Sequence, residues 1–544
     1  MATSTNHLQP TLPVAAGVRA PAWLARFSPS LFDLFLFSVL AWTFLASAKD
    51  FGWSQMLSDG DAGWHMRVGQ WILAHGRVPT QDFFSFSKAG QPWFAWEWLS
   101  DVIFALAHSW LGLKGMVWLA ASLFLSVVGL VFYRVVRAGA NIFVAVPLTM
   151  IAVGVIRIHL LARPHMFTLL FVALALWLID RDLNQPTRWI WTLVPLTILW
   201  TNLHGGWAAL VAILAVVSAG AAAEALAGRR DFFAARRYAT LAACCAAASL
   251  VNPYGWQLHV HMGAYLDSKW INDAVEEFQA PRFRTEGQRM LEIILLGALI
   301  AAGFQLRRRR FIQPFLLLFW THASITSVRH APILAIVALP VLAAGLASGW
   351  NQLARRFRKS SLPGIIHAVG RDMQPSISRP TLWSVLPMLV LVTPLLPLQW
   401  PANFPDKMFP VSFVDRYQPV IAQARLLTTD EWADYLLYRN YPNQRVFFDG
   451  RSDFYGERLG REFLRLVNGH YDWDKLLKKH KIDAVMLPPA TPLSSLLKGC
   501  RQWRIAADSG DEILFVLKGS TAENAALTLM AGPGTAEVTR GETR

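Results

Sequence analysis

The chain has 544 residues, 54% of them hydrophobic and only 16% charged, whereas soluble chains carry about a quarter charged residues. Its formal charge of +15 comes from arginines that cluster beside apolar blocks, which indicates membrane topology and argues against a nucleic-acid-binding surface. The three cysteines, two of them adjacent at Cys244 and Cys245, offer neither a disulfide framework nor a zinc pattern.

The N-terminal part of the chain predicts a cytoplasmic tail over residues 1–30, followed by a retained first span. Residues 1–30 are polar and rich in proline. The apolar run Leu31–Ala48 ends at Lys49 and Asp50, where a signal peptide would have a small-residue cleavage site. We therefore expect this run to stay in the protein as a membrane span.

Further apolar stretches predict a polytopic transmembrane domain over residues 31–400, because a spanning helix needs about 20 apolar residues. The eleven predicted spans are 31–48, 114–133, 141–157, 165–180, 188–203, 206–226, 238–252, 289–305, 311–326, 330–348 and 381–400. Residues 97–112 are also apolar, but Glu97 and Asp101 interrupt them. We therefore predict an amphipathic helix at the membrane interface there.

The distribution of arginines predicts the orientation of these spans. Six basic groups fall on one side of the eleven spans: Arg19 and Arg26, Arg134 and Arg137, Arg181 and Arg188, Arg229–Arg237, Arg307–Arg310, and Arg355–Lys359. The positive-inside rule makes that side cytoplasmic. The outer face then receives the loop 49–112, the shorter alternate turns and everything after residue 400. We expect an integral protein of a bacterial inner or plasma membrane.

After Trp400 the composition predicts a small extracytoplasmic α/β domain, residues 401–518. Its predicted strands are Arg445–Phe448, Ala484–Leu487 and Glu512–Leu517, and its predicted helices are Glu457–Val467 and Trp473–Lys481. The acids and the arginine within Phe447–Gly456 are interpreted as turn and helix-start residues, in preference to a ligand site. Residues 519–544, rich in Gly, Ala, Thr and Glu, are predicted to be disordered.

The first outer loop carries two carboxylates separated by one residue. It reads Ser58-Asp59-Gly60-Asp61-Ala62-Gly63-Trp64-His65. At this spacing both acids can face one substrate, where a carboxylate accepts a proton from a hydroxyl, or they can bind a divalent cation through hard oxygen atoms. The structural alternative is that Asp59 caps the following helix and Asp61 is a first-turn acid favoured by the helix dipole.

This arrangement resembles the GT-C glycosyltransferases, multi-span enzymes that use polyprenyl-phosphate-linked sugars at the outer membrane face. In the protein mannosyltransferase and aminoarabinose transferase branch, an Asp-Glu motif follows the first span, and an aromatic residue, a small helix, a Gly and a Pro come after it. Counting back from Gly76 puts Asp61 at the position of the catalytic Asp, and Trp64 or His65 at the aromatic position.

The resemblance is incomplete within the motif itself. Ala62 stands where Glu is usual, and Asp59 lies upstream. The Asp-Gly-Asp spelling is instead similar to the metal-binding Asp-x-Asp motif of oligosaccharyltransferase catalytic subunits. The two motifs differ in their need for metal, so no cofactor is certain, and a divalent cation (Mg²⁺ or Mn²⁺) at Asp59 and Asp61 stays open.

A lipid phosphate leaving group needs cations or hydrogen-bond donors, because negative charge builds on it as the glycosidic bond breaks. Ionisable residues at span ends are functional candidates in membrane proteins, although such side chains also snorkel to lipid headgroups. The candidates for phosphate binding are Arg157, His159, Arg163, His165, His204, Arg329 and His330. Trp64, His65 and Glu97 are predicted to line an acceptor cleft.

The sequence thus predicts an α-helical polytopic membrane protein of GT-C type with a small C-terminal α/β domain. The predicted function is transfer of a sugar from a polyprenyl-phosphate donor to a lipid, glycan or protein acceptor, with Asp61 as general base and Asp59 assisting or binding a metal. The resemblance implies inversion at the anomeric carbon. The alternatives are a lipid-linked glycan polymerase or ligase of another fold, and a non-catalytic membrane transport or assembly protein.

Overall fold

The apolar stretches of the sequence form helices in the computed structural model, which describes residues 27–45, 52–392 and 400–531. The helices before residue 400 are α1 (Leu31–Leu45), α2 (Gly52–Met56), α3 (Asp61–His75), α4 (Trp98–Leu111), α5 (Leu113–Arg137), α6 (Ile142–Ile156), α7 (His165–Asn184), α8 (Leu193–Leu203), α9 (Trp207–Leu226), α10 (Phe233–Ala248), α11 (Trp256–Leu266), α12 (Lys269–Ala274), α13 (Glu286–Arg307), α14 (Ile312–Thr326), α15 (Ala331–Ala354), α16 (Leu362–Ile377) and α17 (Leu386–Val392). Residues 1–26 of the predicted tail, and Lys49 and Asp50, lie outside the described residues.

Within the described residues, five helical segments are long and apolar enough to cross a membrane. They are Leu113–Arg137, Ile142–His159, Trp207–Leu226, Glu286–Arg307 and Val328–Ala354. Predicted span 165–180 coincides with α7, which has 20 residues, and the remaining predicted spans coincide with shorter helices. Residues 393–399 of the last predicted span lie outside the described residues. The chain is therefore an integral membrane protein, and the number of eleven spans stays a prediction.

The surface of α13 has the pattern of a lipid-facing helix. Ile293, Leu296, Ile300 and Phe304 are all more than half exposed and recur every three or four residues along one side. Leu291, Ile294 and Ala298 of the same helix are buried against the rest of the bundle, with at most 1% of each side chain exposed. An apolar stripe of this size is costly in water and is expected where lipid supplies the contact.

The first outer loop folds as two helices that lie against each other. The predicted interfacial helix is α4, and its backbone lies so close to α3 that a Cβ at Gly69 would be 1.9 Å from the carbonyl oxygen of Asp101. Only glycine fits such an approach. The contact fixes the start of α4, and with it Glu97 and Asp101, relative to the acidic motif at the start of α3.

The C-terminal part is a small α/β domain, as predicted. Its helices are α18 (Val411–Ile421), α19 (Asp430–Asn440), α20 (Ser452–Val467), α21 (Trp473–Lys479), α22 (Pro492–Gly499) and α23 (Thr521–Ala531), and its strands are β1 (Leu426–Leu427), β2 (Ala484–Leu487), β3 (Trp503–Asp508) and β4 (Ile513–Leu517). The sheet order is β1-β2-β4-β3, with β1 parallel to β2 and the other pairs antiparallel. All residues of β2 are buried, in register from Ala484 opposite Val516 to Leu487 opposite Ile513.

Two sequence predictions for this domain are wrong. Arg445–Phe448 is not a strand of the sheet: Val446 instead exchanges backbone hydrogen bonds with Phe84 and Phe86 of the first outer loop, at 3.0 and 2.9 Å. The segment after Gly519 is not disordered up to residue 531, because helix α23 buries Ala522 and Ala526. Residues 532–544 lie outside the described residues.

Arg451 joins the C-terminal domain to the first outer loop. Its guanidinium donates to Asp449 at 2.7 Å and to Asp82 of the outer loop at 2.8 Å, and all three side chains are at most 1% exposed. The rings of Trp93 and Phe454 lie 4.5 and 4.9 Å from its Cζ atom. The two regions therefore meet through a buried ion cluster, which fixes the C-terminal domain against the loop that carries the acidic motif.

Candidate active site

A cavity of about 880 Å³ opens where the first outer loop, several helix ends and the C-terminal domain meet. It is lined by most of the residues that the sequence singled out: Asp61, Trp64, His65, Glu97, His159, Arg163, His165, His204, Arg329 and His330. These residues come from segments that are far apart in the chain. The tertiary structure thus brings the predicted acids and the predicted cations to one place.

Arg157 does not belong to this group. Its Nε donates to Gln55 at 2.9 Å, and its guanidinium lies 5.0 Å from the ring of Trp42. These contacts hold it beside the first helix, and it is not among the residues that line the cavity. The turn that contains Arg157 contributes His159 and Arg163 to the cavity lining instead.

The two acids of the motif share one guanidinium. Arg163 donates from Nη1 to Asp59 Oδ2 at 2.8 Å and from Nη2 to Asp61 Oδ2 at 2.6 Å. Burial by itself disfavours the charged guanidinium, but the carboxylates of Asp59 and Asp61 outweigh it and hold the pKa of Arg163 above its ordinary value. The backbone N–H of Asp61 also donates to Asp59 Oδ1 at 2.9 Å, so Asp59 orients the start of α3.

Asp61 is the acid of this pair that borders the cavity. Its second oxygen, Oδ1, accepts a hydrogen bond from Trp64 Nε1 at 3.0 Å, one helical turn further along α3. Burial raises the pKa of Asp61 to about 6; Arg163 opposes this rise and the charge of Asp59 adds to it. The carboxylate is therefore ionised at neutral pH and close to the pKa that suits a general base.

The C-terminal domain supplies further carboxylates to the motif, and the sequence analysis missed them. Glu431 Oε2 accepts the backbone N–H of Gly60 at 3.0 Å, and Asp434 Oδ1 accepts the N–H of Gly450 at 3.1 Å. A side-chain hydrogen bond also joins Asp434 to Asp61. Burial, followed by the charge of Asp61, raises the pKa of Asp434 well above its ordinary value, so Asp434 is the protonated donor of that bond.

Gly450 lies at the point where these carboxylates meet. A Cβ there would be 2.1 Å from Asp61 Oδ1 and 2.8 Å from Asp434 Oδ2. The charged residues of the segment Phe447–Gly456 were predicted from the sequence to be turn and helix-start residues. The structure shows that this turn closes the cavity, with Gly450, Arg451 and Asp453 in its lining.

We expect Gly450→Ala to destabilise the protein by about 1–3 kcal/mol, because the added methyl group overlaps the Asp61 carboxylate and forces the domain away from α3. Thermal unfolding of the purified full chain in detergent would measure this change. Gly499→Ala is the matched control, since a Cβ at Gly499 meets no atom within 4 Å among the described residues. Equal stability of the two variants would contradict the close contact described here.

A second group of polar side chains surrounds Glu97 in the same cavity. One carboxylate oxygen of Glu97 lies 3.6 Å from His65 Nε2, and the other lies 3.4 Å from His204 Nε2. Behind His65, the Nδ1 atom is 2.6 Å from Asp101 Oδ1, and both side chains are 1% exposed. Burial lowers the pKa of His65 well below its ordinary value and raises that of Asp101 well above its own, so both groups are neutral.

Part of the cavity wall is cationic and has buried nitrogen atoms without hydrogen-bond partners among the described residues. Arg329 Nη1 lies 3.8 Å from Glu277, and neither this atom nor His159 Nε2 has a hydrogen-bond partner among the described residues, although both are buried. His165 Nε2–H donates to the carbonyl of His159 at 2.8 Å. Buried donors without partners are rare in proteins, and donors that face a cavity suit an anionic ligand.

The carboxylates of Asp59 and Asp61 are both paired with Arg163 in this arrangement. Mg²⁺ takes about six oxygen ligands in octahedral geometry, commonly one or two carboxylates with water and substrate phosphate. Within the described residues, no three His, Cys, Asp or Glu side chains are arranged to hold a metal ion. Arg163 binds Asp59 and Asp61 together, so a cation would first have to displace its guanidinium from the carboxylates.

No protein-family model and no curated protein sequence matches this chain. Among solved structures, it is similar to the archaeal oligosaccharyltransferase AglB from Archaeoglobus fulgidus, determined in complex with an inhibitory peptide and a dolichol-phosphate. The TM-score is 0.55 at 11% identity, over 90% of this chain and 74% of that one. This similarity shows a shared fold alone, and the assignment to the GT-C glycosyltransferases and to one of their branches stays a prediction.

Proposed function

We propose that this protein transfers a glycosyl group from a polyprenyl-phosphate-linked donor to an acceptor hydroxyl or amine at the outer face of the membrane. One observation carries the proposal: the buried carboxylate of Asp61 borders the same cavity as Arg329 and His159, whose Nη1 and Nε2 atoms have no hydrogen-bond partner among the described residues. The fold similarity supports it, because the solved oligosaccharyltransferase was determined with a dolichol-phosphate.

In the proposed reaction, Asp61 takes the proton of the acceptor as the acceptor atom bonds to the anomeric carbon. Arg163 and Trp64 hold the carboxylate in place through its two oxygens. The bond from the anomeric carbon to the phosphate oxygen breaks, and Arg329 and His159 stabilise the charge that develops on the phosphate. Attack from the face opposite the phosphate would invert the anomeric centre.

The cavity also has an apolar side that suits the isoprenoid chain of such a donor. Leu169, Phe319, Trp320 and Ile333, on helices α7, α14 and α15, line it next to the cationic wall. Phe319 is 42% exposed, so this side of the cavity lies open towards the surface of the bundle. A lipid phosphate could thus place its headgroup among the donors while its chain stays in the bilayer.

The proposal is tested with the full chain reconstituted in lipid vesicles. Radiolabelled polyprenyl-phosphate mannose, glucose and 4-aminoarabinose are supplied with membranes of a strain lacking the gene as acceptor. We expect release of polyprenyl phosphate and transfer of label for one of these donors. Movement of intact donor across the vesicle membrane without cleavage would favour a transport protein instead.

A lipid-linked oligosaccharide is the second candidate donor, because the similar solved structure is an oligosaccharyltransferase. The two candidates share the attack on an anomeric carbon next to a lipid phosphate. Including polyprenyl-diphosphate-linked glycans in the same assay separates them. Transfer from these glycans alone would assign the chain to lipid-linked glycan ligation.

The rate of transfer should depend on pH through Asp61. A general base works only when ionised, and the pKa of Asp61 is raised to about 6 by burial. We therefore expect kcat/KM to increase with pH through about 6 and to fall about tenfold for each pH unit below it. A profile that is flat between pH 4.5 and 7 would contradict the assignment of Asp61 as the base.

A further inference from the structure

Glu97 is a second carboxylate of the cavity, and the proposed reaction as described above does not use it. Its side chain is 13% exposed and lies between two imidazoles, with His65 Nε2 at 3.6 Å from one oxygen and His204 Nε2 at 3.4 Å from the other. It precedes α4, whose Ser100 donates to the carbonyl of Leu203 at 2.6 Å. Glu97 is therefore held by a rigid helix start and not by a mobile loop.

The hydrogen bonds around His204 fix which of its nitrogens carries the proton. Trp200 Nε1–H donates to Thr168 Oγ1 at 2.8 Å, so the hydroxyl of Thr168 donates to His204 Nδ1 at 2.8 Å. The backbone N–H of Gly206 donates to the same Nδ1 atom at 2.9 Å. Because Nδ1 accepts both bonds, the proton of the neutral ring is on Nε2 and faces Glu97.

The same reasoning applies to His65 on the other side. Burial raises the pKa of Asp101 well above the ordinary value and so favours its neutral acid form, and its carboxyl contacts His65 Nδ1 at 2.6 Å. A protonated Asp101 donates to Nδ1, which leaves the proton of the neutral imidazole on Nε2, towards Glu97. Two N–H groups thus face one carboxyl group from opposite sides, an arrangement that would stabilise Glu97 once it has lost a proton.

The charges that face Glu97 come from every element around it: Arg163 and Arg329 favour its ionisation, and Asp61 and Asp453 oppose it. Burial is the largest influence and raises the pKa of Glu97 to about 8, whereas that of Asp61 is about 6. Between these values Glu97 keeps its proton while Asp61 is ionised. Two carboxyl groups whose environments separate their pKa values in one site are suited to opposite roles in acid–base catalysis.

We infer that Glu97 is the general acid of the cavity, which donates its proton to the phosphate oxygen that leaves the anomeric carbon. This inference rests on the proposed function. The bond from the acceptor to the anomeric carbon forms as the bond to the phosphate oxygen breaks. Asp61 gains the acceptor's proton, and Glu97 gives its own to the leaving oxygen. Asp61 then loses a proton to solvent and Glu97 regains one, so the net result is movement of one proton from acceptor to phosphate.

The test compares Glu97→Gln with the wild-type full chain in the vesicle assay, over pH 5 to 9.5. The amide keeps the shape of the side chain but has no acidic proton to give. We expect kcat to fall about a hundredfold or more, which is the usual share of a general acid, with KM for the donor changed less than about threefold. In the wild type, the transfer rate should decline above pH 8 as Glu97 loses its proton, and this alkaline decline should be absent from Glu97→Gln. The increase in rate through pH 6, which reports Asp61, should remain.

Two further variants complete the test. Glu276→Gln, an exposed residue that does not line the cavity, is the matched control and should behave as the wild type. Glu97→Asp keeps a carboxyl group that can donate a proton, but the side chain is one methylene group shorter. It should therefore have a lower kcat and still show the decline in rate above pH 8. It decides the question if Glu97→Gln fails to fold.

The outcomes separate the two proposals. An active wild type with Glu97→Gln within threefold of its kcat, or with the alkaline decline unchanged, overturns the role of Glu97 alone. Loss of the alkaline decline in Glu97→Asp overturns it as well. A wild type that releases no polyprenyl phosphate from any donor overturns the proposed function itself.

Discussion

Replacing Asp61 with Asn is expected to lower kcat for glycosyl transfer by at least about a thousandfold, or about 4 kcal/mol of transition-state stabilisation. An amide cannot take the proton of the acceptor. Trp64 Nε1 and Arg163 Nη2 each donate a hydrogen bond to one oxygen of the Asp61 carboxylate. The Asn amide has only one accepting oxygen, so one of these two donors would lose its partner. The measurement is steady-state release of polyprenyl phosphate by the full chain in vesicles.

Asp59→Asn is the matched control for this variant. Asp59 also pairs with Arg163, at 2.8 Å, but its side chain does not line the cavity. We expect a loss of no more than about tenfold, through poorer orientation of Arg163 and of the start of α3. If Asp61→Asn kept more than a tenth of wild-type activity, or if Asp59→Asn were the more damaging change, Asp61 would not be the base.

Replacing Arg163 with Ala is expected to have the second-largest effect, with kcat at neutral pH lower by about a hundredfold to a thousandfold. Without the guanidinium, the carboxylates of Asp59 and Asp61 repel each other, and the pKa of Asp61 should increase further because Arg163 holds it down. The base would then be protonated at neutral pH. The variant should therefore recover activity as the pH is raised, in contrast to Asp61→Asn.

Arg163→Ala should also destabilise the fold by about 3 kcal/mol, because it leaves partly buried acids without their cation. Arg163→Lys should be intermediate, since an ammonium group cannot bind both carboxylates with the geometry of a guanidinium. Arg157→Ala is the control from the same turn, because Arg157 contacts Gln55 and Trp42 outside the cavity. Equal losses in the Arg157 and Arg163 variants would point to a general effect of the turn.

The C-terminal domain contacts the acidic motif directly. Asp434 and Gly450 contact Asp61, and Glu431 binds the backbone of the acidic motif. The motif therefore depends on a domain that lies more than 360 residues later in the chain. These contacts give the C-terminal domain a direct part in setting the charge of Asp61.

The sequence by itself determined the helical membrane architecture, the paired acids in the first outer loop and the turns that supply the cations. These features are local, because the length of an apolar stretch and a short motif are properties of neighbouring residues. The hydrophobic effect acts on an apolar stretch whatever the rest of the fold is. The helix over 97–112 and the strand Ala484–Leu487 were also predicted correctly from local pattern, and the interfacial position of that helix stays a prediction.

Only the tertiary structure decided which of these residues share a cavity. Arg157 and Arg163 have the same local character, yet packing turns one towards Trp42 and the other between Asp59 and Asp61. Nothing in the sequence around Asp434 marked it, because its role depends on the approach of α19 to α3. Side-chain pairing across such distances in sequence is fixed by how helices pack, and a one-dimensional pattern of residue types does not contain that information.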